Sequence, residues 1–292
     1  MDKIANKIAV VYLDRWDNKP NFRKAFLHSL QWFPAGVDFD LVWQMKGYPD
    51  DKFCHELIDF KKRFAGKIIQ LHYPDDVYQF TLALDAAEKL DYDLLVFFIS
   101  YSRILAPNWL KLYVNAFENN ESCGMVGATG SYEQAMADQK FPNYHIRTNA
   151  FMIKSDLFKS LDYGVLRNKI DGNFVEAGPN SITSQILQKG LNLFVIDRFG
   201  RVYSPEKWPI SRTFRSGCQE NLLVADNRTS QYSISACQNR SKLSKLAWGR
   251  DVSCNKISWV KRFIHRIIWY NFFANRLFCT FHLQMQRFKH FK

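Results

Sequence analysis

Six consecutive apolar residues, Leu94-Leu95-Val96-Phe97-Phe98-Ile99, set the first limit on what this chain can become. A strand with one wet face alternates apolar and polar side chains. A run without alternation needs cover on both faces, as in the centre of a mainly parallel sheet between helices. Other segments keep to that pattern. Residues 8–13, 39–45, 67–71, 124–128 and 191–196 read as further strands. Between them lie helical spacings: Phe22, Phe26, Leu27 and Leu30 before Pro34; Ala83, Ala86, Ala87 and Leu90; Leu110, Tyr113, Val114 and Phe117 after Pro107; Ile182, Ile186 and Leu187 before Gly190. The rhythm predicts an α/β domain over residues 1–250, with helices on both faces of a mixed, mostly parallel sheet. Ligands of such sheets sit beyond the carboxyl ends of the strands. The loops after Leu13, Met45, Leu71 and Ile99 are therefore the first candidates for a site.

The remaining residues, 251–292, differ in charge. The chain carries a net charge of +12, and residues 256–292 hold eight Lys or Arg and no Asp or Glu. That leaves 32 basic and 28 acidic residues for the rest, a balance of +4. Val260, Phe263, Ile264 and Ile267 share one helical face, with Lys261, Arg262, His265 and Arg266 on the other, and ten aromatics fall within residues 259–291. This is the pattern of a basic amphipathic helical tail lying on an anionic membrane surface through residues 257–292. Each basic residue there contributes about 1 kcal/mol. A helix packed on the domain itself gives the same pattern. Nucleic acid is the least favoured partner, since no nucleic-acid motif accompanies the tail. The apolar stretch 267–281 is broken by Asn271, Asn275 and Arg276, so it is too short and polar to span a bilayer. The six cysteines form no C-x-x-C pair, which argues against zinc. The first residues lack a signal-peptide core, so reduced thiols and a cytoplasmic location, peripheral to the inner face of the membrane, are expected.

Asp91-Tyr92-Asp93 before the apolar run, Pro107-Asn108-Trp109-Leu110 after it, and Gly124-Met125-Val126-Gly127 beyond resemble the centre of glycosyltransferases with the Rossmann-like GT-A fold. Ile146-Arg147-Thr148-Asn149-Ala150-Phe151-Met152, Thr213-Phe214-Arg215 and Asn221-Leu222-Leu223-Val224-Ala225-Asp226-Asn227 resemble a family-two-like group from bacterial surface-polysaccharide gene clusters. The likeness covers roughly residues 5–248. It implies a nucleotide-sugar donor and a lipid-linked or surface-glycan acceptor, such as lipopolysaccharide or capsule. Where the fold usually carries an Asp-x-Asp holding Mg²⁺ or Mn²⁺, this chain has Ser100-Tyr101-Ser102-Arg103. Serine hydroxyls are poor ligands for either ion. The chain also has Val77, Gln79 and Thr81 where that group tends to carry Gly and Asp. No metal ligand is assigned, and the metal requirement stays open. Either a diphosphate is neutralised without metal, or the protein is a non-catalytic binder of a glycan, a nucleotide or a partner.

The resemblance then assigns roles. Arg103, Ser100, Ser102 and Arg215 would face the diphosphate, where guanidinium forks suit phosphate oxygens. Glu176 would deprotonate the acceptor, with Asp171 as substitute. The bland account of Glu176 is a carboxylate stabilised at a helix start. Asp75, Asp76 and Asp14 would edge the nucleotide pocket, or build turns and caps. Arg147, Thr148 and Asn149 would line the donor sugar or acceptor. Asp226 and Asn227 would close the site, or form a turn. Arg212 reads as a surface residue and His145 as structural.

Overall fold

The computed structural model describes residues 6–254 apart from 53, 137, 138 and 168, so the expected tail at 257–292 lies outside the described residues. In chain order the strands are β1 (Ile8–Arg15), β2 (Asp40–Lys46), β3 (Ile68–Tyr73), β4 (Leu94–Phe98), β5 (Arg103–Ile104), β6 (Cys123–Gly127), β7 (Gly130–Ser131), β8 (His145–Ile146), β9 (Ala150–Lys154), β10 (Asn192–Ile196), β11 (Val202–Tyr203) and β12 (Val224–Ala225). Eight of them form one sheet in the order β11-β10-β6-β9-β4-β1-β2-β3. Six of the eight point one way; β9 and β11 run against them. The fold is α/β with a mixed, mostly parallel central sheet. Each strand expected from its apolar run is present, with ends shifted by a residue or two.

Alternate residues feed two cores. Val10, Tyr12, Trp43, Val96, Phe98 and Met152 pack with helices Pro20–Trp32 and Trp109–Glu118. Val11, Leu95, Phe97, Phe151 and Ile153 pack with helices Gln79–Lys89, Ser155–Lys159 and Ile182–Gln188. β4 is buried at every position, as its lack of alternation requires. No helix among the described residues is long and apolar enough to cross a membrane.

The strand that positions the site is β9. It lies antiparallel between β4 and β6, with Phe98 opposite Ala150 and Val126 opposite Met152. Its amino end therefore meets the carboxyl ends of its neighbours. Arg147, Thr148 and Asn149, which lead into it, arrive on the edge where the loops after β1, β2, β4 and β6 emerge.

The helix expected at Pro107 begins later, at Trp109. Asn108 adopts the left-handed conformation at φ 58° and donates its N–H to the Pro34 carbonyl at 2.6 Å. Asn tolerates that backbone better than most residues. Trp109 itself is fully buried, edge-on to Phe39 and Phe98 with centroids 5.8 and 5.6 Å away. Its indole N–H meets no acceptor. Trp109→Ala should then cost about 3–5 kcal/mol in urea unfolding. Trp109→Phe should cost under about 1.5 kcal/mol, because it keeps a packed ring and removes an unsatisfied donor. Equal losses for the two variants would contradict this account.

Candidate functional site

On the β1–β3 side the ends of the strands carry paired charges. Arg15, the last residue of β1, grips Asp75 with both arms of its guanidinium, Nε to Oδ1 at 2.7 Å and Nη2 to Oδ2 at 2.6 Å. This pairing holds the Asp75 carboxyl below the usual range. Gly47, at φ +68°, lets the turn after β2 pass close by; a Cβ there would lie 2.8 Å from Asp75. Asp76 is exposed beside it. Asp14, expected at the nucleotide edge, instead points into the core. It accepts from the Trp43 indole N–H at 3.2 Å and from the Tyr48 hydroxyl, with Arg23 3.9 Å away. The alternation of β1 sends residue 14 to the same face as Tyr12.

The turn after β4 is closed on itself. The Ser100 hydroxyl donates to the Leu13 carbonyl at 2.7 Å, and the Ser100 carbonyl accepts from Tyr12 at 2.8 Å. The Ser102 hydroxyl donates to the Asn149 carbonyl at 2.6 Å. Both serines are buried, and their hydroxyls brace the backbone of β1 and of the residue that leads into β9. The position where the resemblance implies Mg²⁺ or Mn²⁺ thus offers no carboxylate and no uncommitted hydroxyl. Among the described residues, no group of three or more His, Cys, Asp or Glu could hold a metal ion. The residues present do not fit a divalent cation. Arg103 lies on β5, paired with Ala225 of β12, and lines a cavity of about 70 Å³ with Gln219, Leu222, Thr229 and Ser230.

A different arginine stands at the centre of the edge. Arg147 donates to Asp226 at 2.8 Å and to Thr129 at 3.3 Å, and its guanidinium lies 4.1 Å from the centre of the Phe214 ring. Arg215 lies 4.9 Å from the same ring and donates to Glu133 at 2.9 Å. Thr129 also donates to the Asn149 side-chain oxygen at 2.7 Å. Two donors in this layer, Asn149 Nδ2 and Arg215 Nε, are buried without an acceptor. Buried N–H groups are seldom left so. Asp226 serves twice: Oδ2 holds Arg147 while Oδ1 accepts the Thr229 N–H, in a capping box that starts the helix Asn227–Ile234. The turn-building account of Asp226 and its place beside the arginines hold together. Asn227 is exposed at the helix start.

Next to Arg147, the Thr148 hydroxyl donates to Glu176. Glu176 lies in the helix Lys169–Ala177, whose Gly172 passes beneath the Tyr78 ring; a Cβ there would lie 2.1 Å from it. Burial pushes the Tyr78 phenol up, and the nearby Asp171 and Glu176 add to it. Asp171 accepts the Arg167 N–H at 2.7 Å, near the start of that helix. His145 is buried with Nδ1 3.0 Å from the Asn143 carbonyl. Burial lowers its pKa against the opposing pull of Glu176.

The structure therefore brings Arg147, Thr148, Asn149, Arg215, Asp226 and Glu176 into one polar layer and leaves Asp14, Asp76 and Asn227 out of it. Thr129, Glu133 and Phe214 belong to it without having been assigned roles from sequence. The loop after β6 obeys the same carboxyl-end rule as the four named earlier, and that rule leads to Thr129 and Glu133. Two guanidiniums face three carboxylates, so the layer has no excess of positive charge. Mixed donors and acceptors of this kind suit sugar hydroxyls.

Asp14 gives a test of the buried pairing. Burial raises its carboxyl from 3.8 to about 6. Its folded-state pKa exceeds the unfolded value, so the stabilisation is complete below pH ~4 and is lost as pH rises through ~6. At about 1.4 kcal/mol per pKa unit the loss approaches 3 kcal/mol. Asp14→Asn should therefore gain stability relative to wild type between pH 4 and 7 in paired urea titrations. A difference independent of pH would refute the assignment.

No protein-family model and no curated protein sequence matches the chain. Solved structures do. A mannosyltransferase from Pyrobaculum calidifontis, in complex with GDP-Man and Mn²⁺, is 9% identical with a TM-score of 0.49, over 72% of this chain and 60% of that one. Glucosyl-3-phosphoglycerate synthase from Mycobacterium tuberculosis, complexed with Mn²⁺, UDP and phosphoglyceric acid, is 14% identical with a TM-score of 0.41, over 58% and 63%. The inositol-1-phosphate CTP transferase from T. maritima is 9% identical with a TM-score of 0.40, over 65% and 84%. This chain thus spans less than two thirds of the mannosyltransferase it matches. Sugar transferases and nucleotidyltransferases are what the chain is structurally similar to.

Proposed function

We propose that this chain is a glycosyltransferase that moves a sugar from a nucleotide-sugar donor to a lipid-linked or surface-glycan acceptor, of the lipopolysaccharide or capsule kind. The observation that carries the proposal is the Thr148–Glu176 hydrogen bond beside the buried Arg147–Arg215 layer, on the carboxyl edge of the sheet. Glu176 takes the proton of the acceptor hydroxyl as its oxygen attacks the anomeric carbon. The bond to the nucleoside diphosphate breaks, and that group leaves. Asn149 Nδ2 and Arg215 Nε supply donors to the transferring sugar and its departing oxygen. Thr148 orients the base, and Asp171 stands on the same helix as a second carboxylate. Asp75 and Arg15 border the side where the nucleotide enters. The cationic tail at 257–292 rests on an anionic membrane on its cytoplasmic face, where a lipid-linked acceptor is presented.

A non-catalytic binder of a glycan, nucleotide or partner is the second reading. It is favoured by the closed Ser100–Ser102 turn, whose hydroxyls are consumed by backbone. Transfer assays with a panel of UDP-, GDP- and CMP-sugars separate the two. The proposal expects turnover that persists in EDTA, and a fall of about 100-fold or more in kcat for Glu176→Gln with donor affinity retained. Arg215→Gln should weaken transfer as well. Failure of every nucleotide sugar to bind would remove the glycosyltransferase reading. Binding without turnover would leave the second.

A further inference from the structure

Gly217 is where the last described residues fold back onto the domain. It forms a parallel bridge with Ser253. Its N–H donates to the Val252 carbonyl at 2.8 Å, and its carbonyl accepts the Cys254 N–H at 3.2 Å. The same carbonyl accepts the Tyr232 hydroxyl at 2.9 Å and Arg240 Nη2 at 3.0 Å. One residue further along both strands of the bridge, Cys218 and Cys254 face each other. The two thiols interact, Cys254 raising the cost of ionising Cys218, and no disulfide joins them. Both cysteines are partly exposed, so a small reagent can reach them. Arg240 adds an independent observation. It is fully buried, and its Nε and Nη1 meet no acceptor. Its charge acts on the Cys218 thiol, favouring the thiolate.

We infer that Cys218 and Cys254 are a modification site: a dithiol that closes to a disulfide by exchange with a low-molecular-weight disulfide, clasping residues 252–254 to the loop that carries Arg215. In the first step the thiolate of either cysteine attacks one sulfur of glutathione disulfide. The reagent's S–S bond breaks, a mixed disulfide forms, and one glutathione thiolate leaves. The other protein thiolate then attacks the protein sulfur of the mixed disulfide and expels the second glutathione. The two thiol protons end on the released glutathiones. The protein is oxidised by two electrons, and glutathione disulfide is reduced to two thiols. The bond encloses Asp226 and the helices Asn227–Ile234 and Cys237–Trp248 in a covalent loop. Arg215, whose N–H is held by Gln219 at 3.0 Å, then stands on a loop fixed from both sides. Burial pushes the Cys218 thiol up to about 11, more than Arg240 offsets. The exchange is therefore slow at neutral pH and quickens with alkalinity.

The test incubates the full chain with glutathione disulfide at mildly alkaline pH, caps remaining thiols with an alkylating reagent, and maps cross-linked peptides by mass spectrometry. The expected product joins Cys218 to Cys254. The oxidised protein should melt on the order of 5 °C above the reduced one, through restriction of the unfolded chain. Cys218→Ser and Cys254→Ser should each abolish that shift and leave glutathione on the remaining cysteine of the pair. A bond from either residue to Cys237 or Cys279, an open mixed disulfide in the wild-type chain, or a lower melting temperature on oxidation would overturn the inference. The cross-link map needs no variant, so it stands even where a serine substitution impairs folding.

Discussion

The direction of β9 governs everything built at the edge of the sheet. A strand running with its neighbours would deliver its carboxyl end there, and its leading residues would emerge on the far side of the molecule. Because β9 is inserted against the grain between β4 and β6, three polar residues reach the carboxyl edge from the opposite sense. The strand is fastened on both sides by ladder hydrogen bonds and buried through Met152 and Ile153. Asn149 extends the ladder by one step: its carbonyl accepts the Ile99 N–H and the Ser102 hydroxyl. The turn after β4 is thereby tied to the approach to β9. The serines in that turn are part of this bracing, which is why they have nothing left for a ligand.

Once Arg147 is carried into this edge, it has to be satisfied there. A buried guanidinium without a counter-charge costs several kcal/mol. Asp226 meets the need, and the capping box holds its carboxylate in place. The helix Asn227–Ile234 therefore depends on the same residue that balances Arg147. Both guanidiniums also lie against the Phe214 ring, so each has an aromatic neighbour as well as an acid. The result is a rigid polar layer with two donors left over. An unsatisfied buried donor costs about 1–3 kcal/mol. In the proposed reaction, these are the groups that the sugar and its leaving oxygen engage.

Local sequence shows the strands because burial on both faces leaves an uninterrupted apolar run. It shows the approach to β9 too, since Arg147-Thr148-Asn149 stand out against the apolar residues that follow. What it does not show is pairing over distance. Arg147 and Asp226 are 79 positions apart, and Arg215 and Glu133 are 82 apart. Nothing local distinguishes Arg103, which lies on a two-residue edge strand, from Arg147, which enters the polar layer. Asp14 illustrates the same limit. It stands near the carboxyl end of β1, where a ligand is expected, but its fate is decided by Trp43, Tyr48 and Arg23, which come from outside that strand. Asn108 is a smaller case: Pro107 suggests a helix start, while the contact with Pro34 delays it to Trp109.

Charge balance bears on how the proposed transfer would proceed. A divalent cation held by carboxylates places positive charge directly against a diphosphate. Here each arginine of the layer already has an acid partner, and Glu176 adds a further carboxylate. A diphosphate placed directly on Arg147 or Arg215 would compete with Asp226 or Glu133 in a buried setting, where breaking a pair is expensive. Sugar hydroxyls donate as well as accept, so they can join the layer without displacing either ion pair. The proposed transferase therefore gains more from fixing the sugar and the acceptor hydroxyl than from gripping the phosphates. On that account the nucleotide is held chiefly on the β1–β3 side, where Arg15 and Lys46 share the partly exposed Asp75. An exposed pair of that kind is worth only a fraction of a buried one, and it yields to an incoming phosphate at correspondingly small cost.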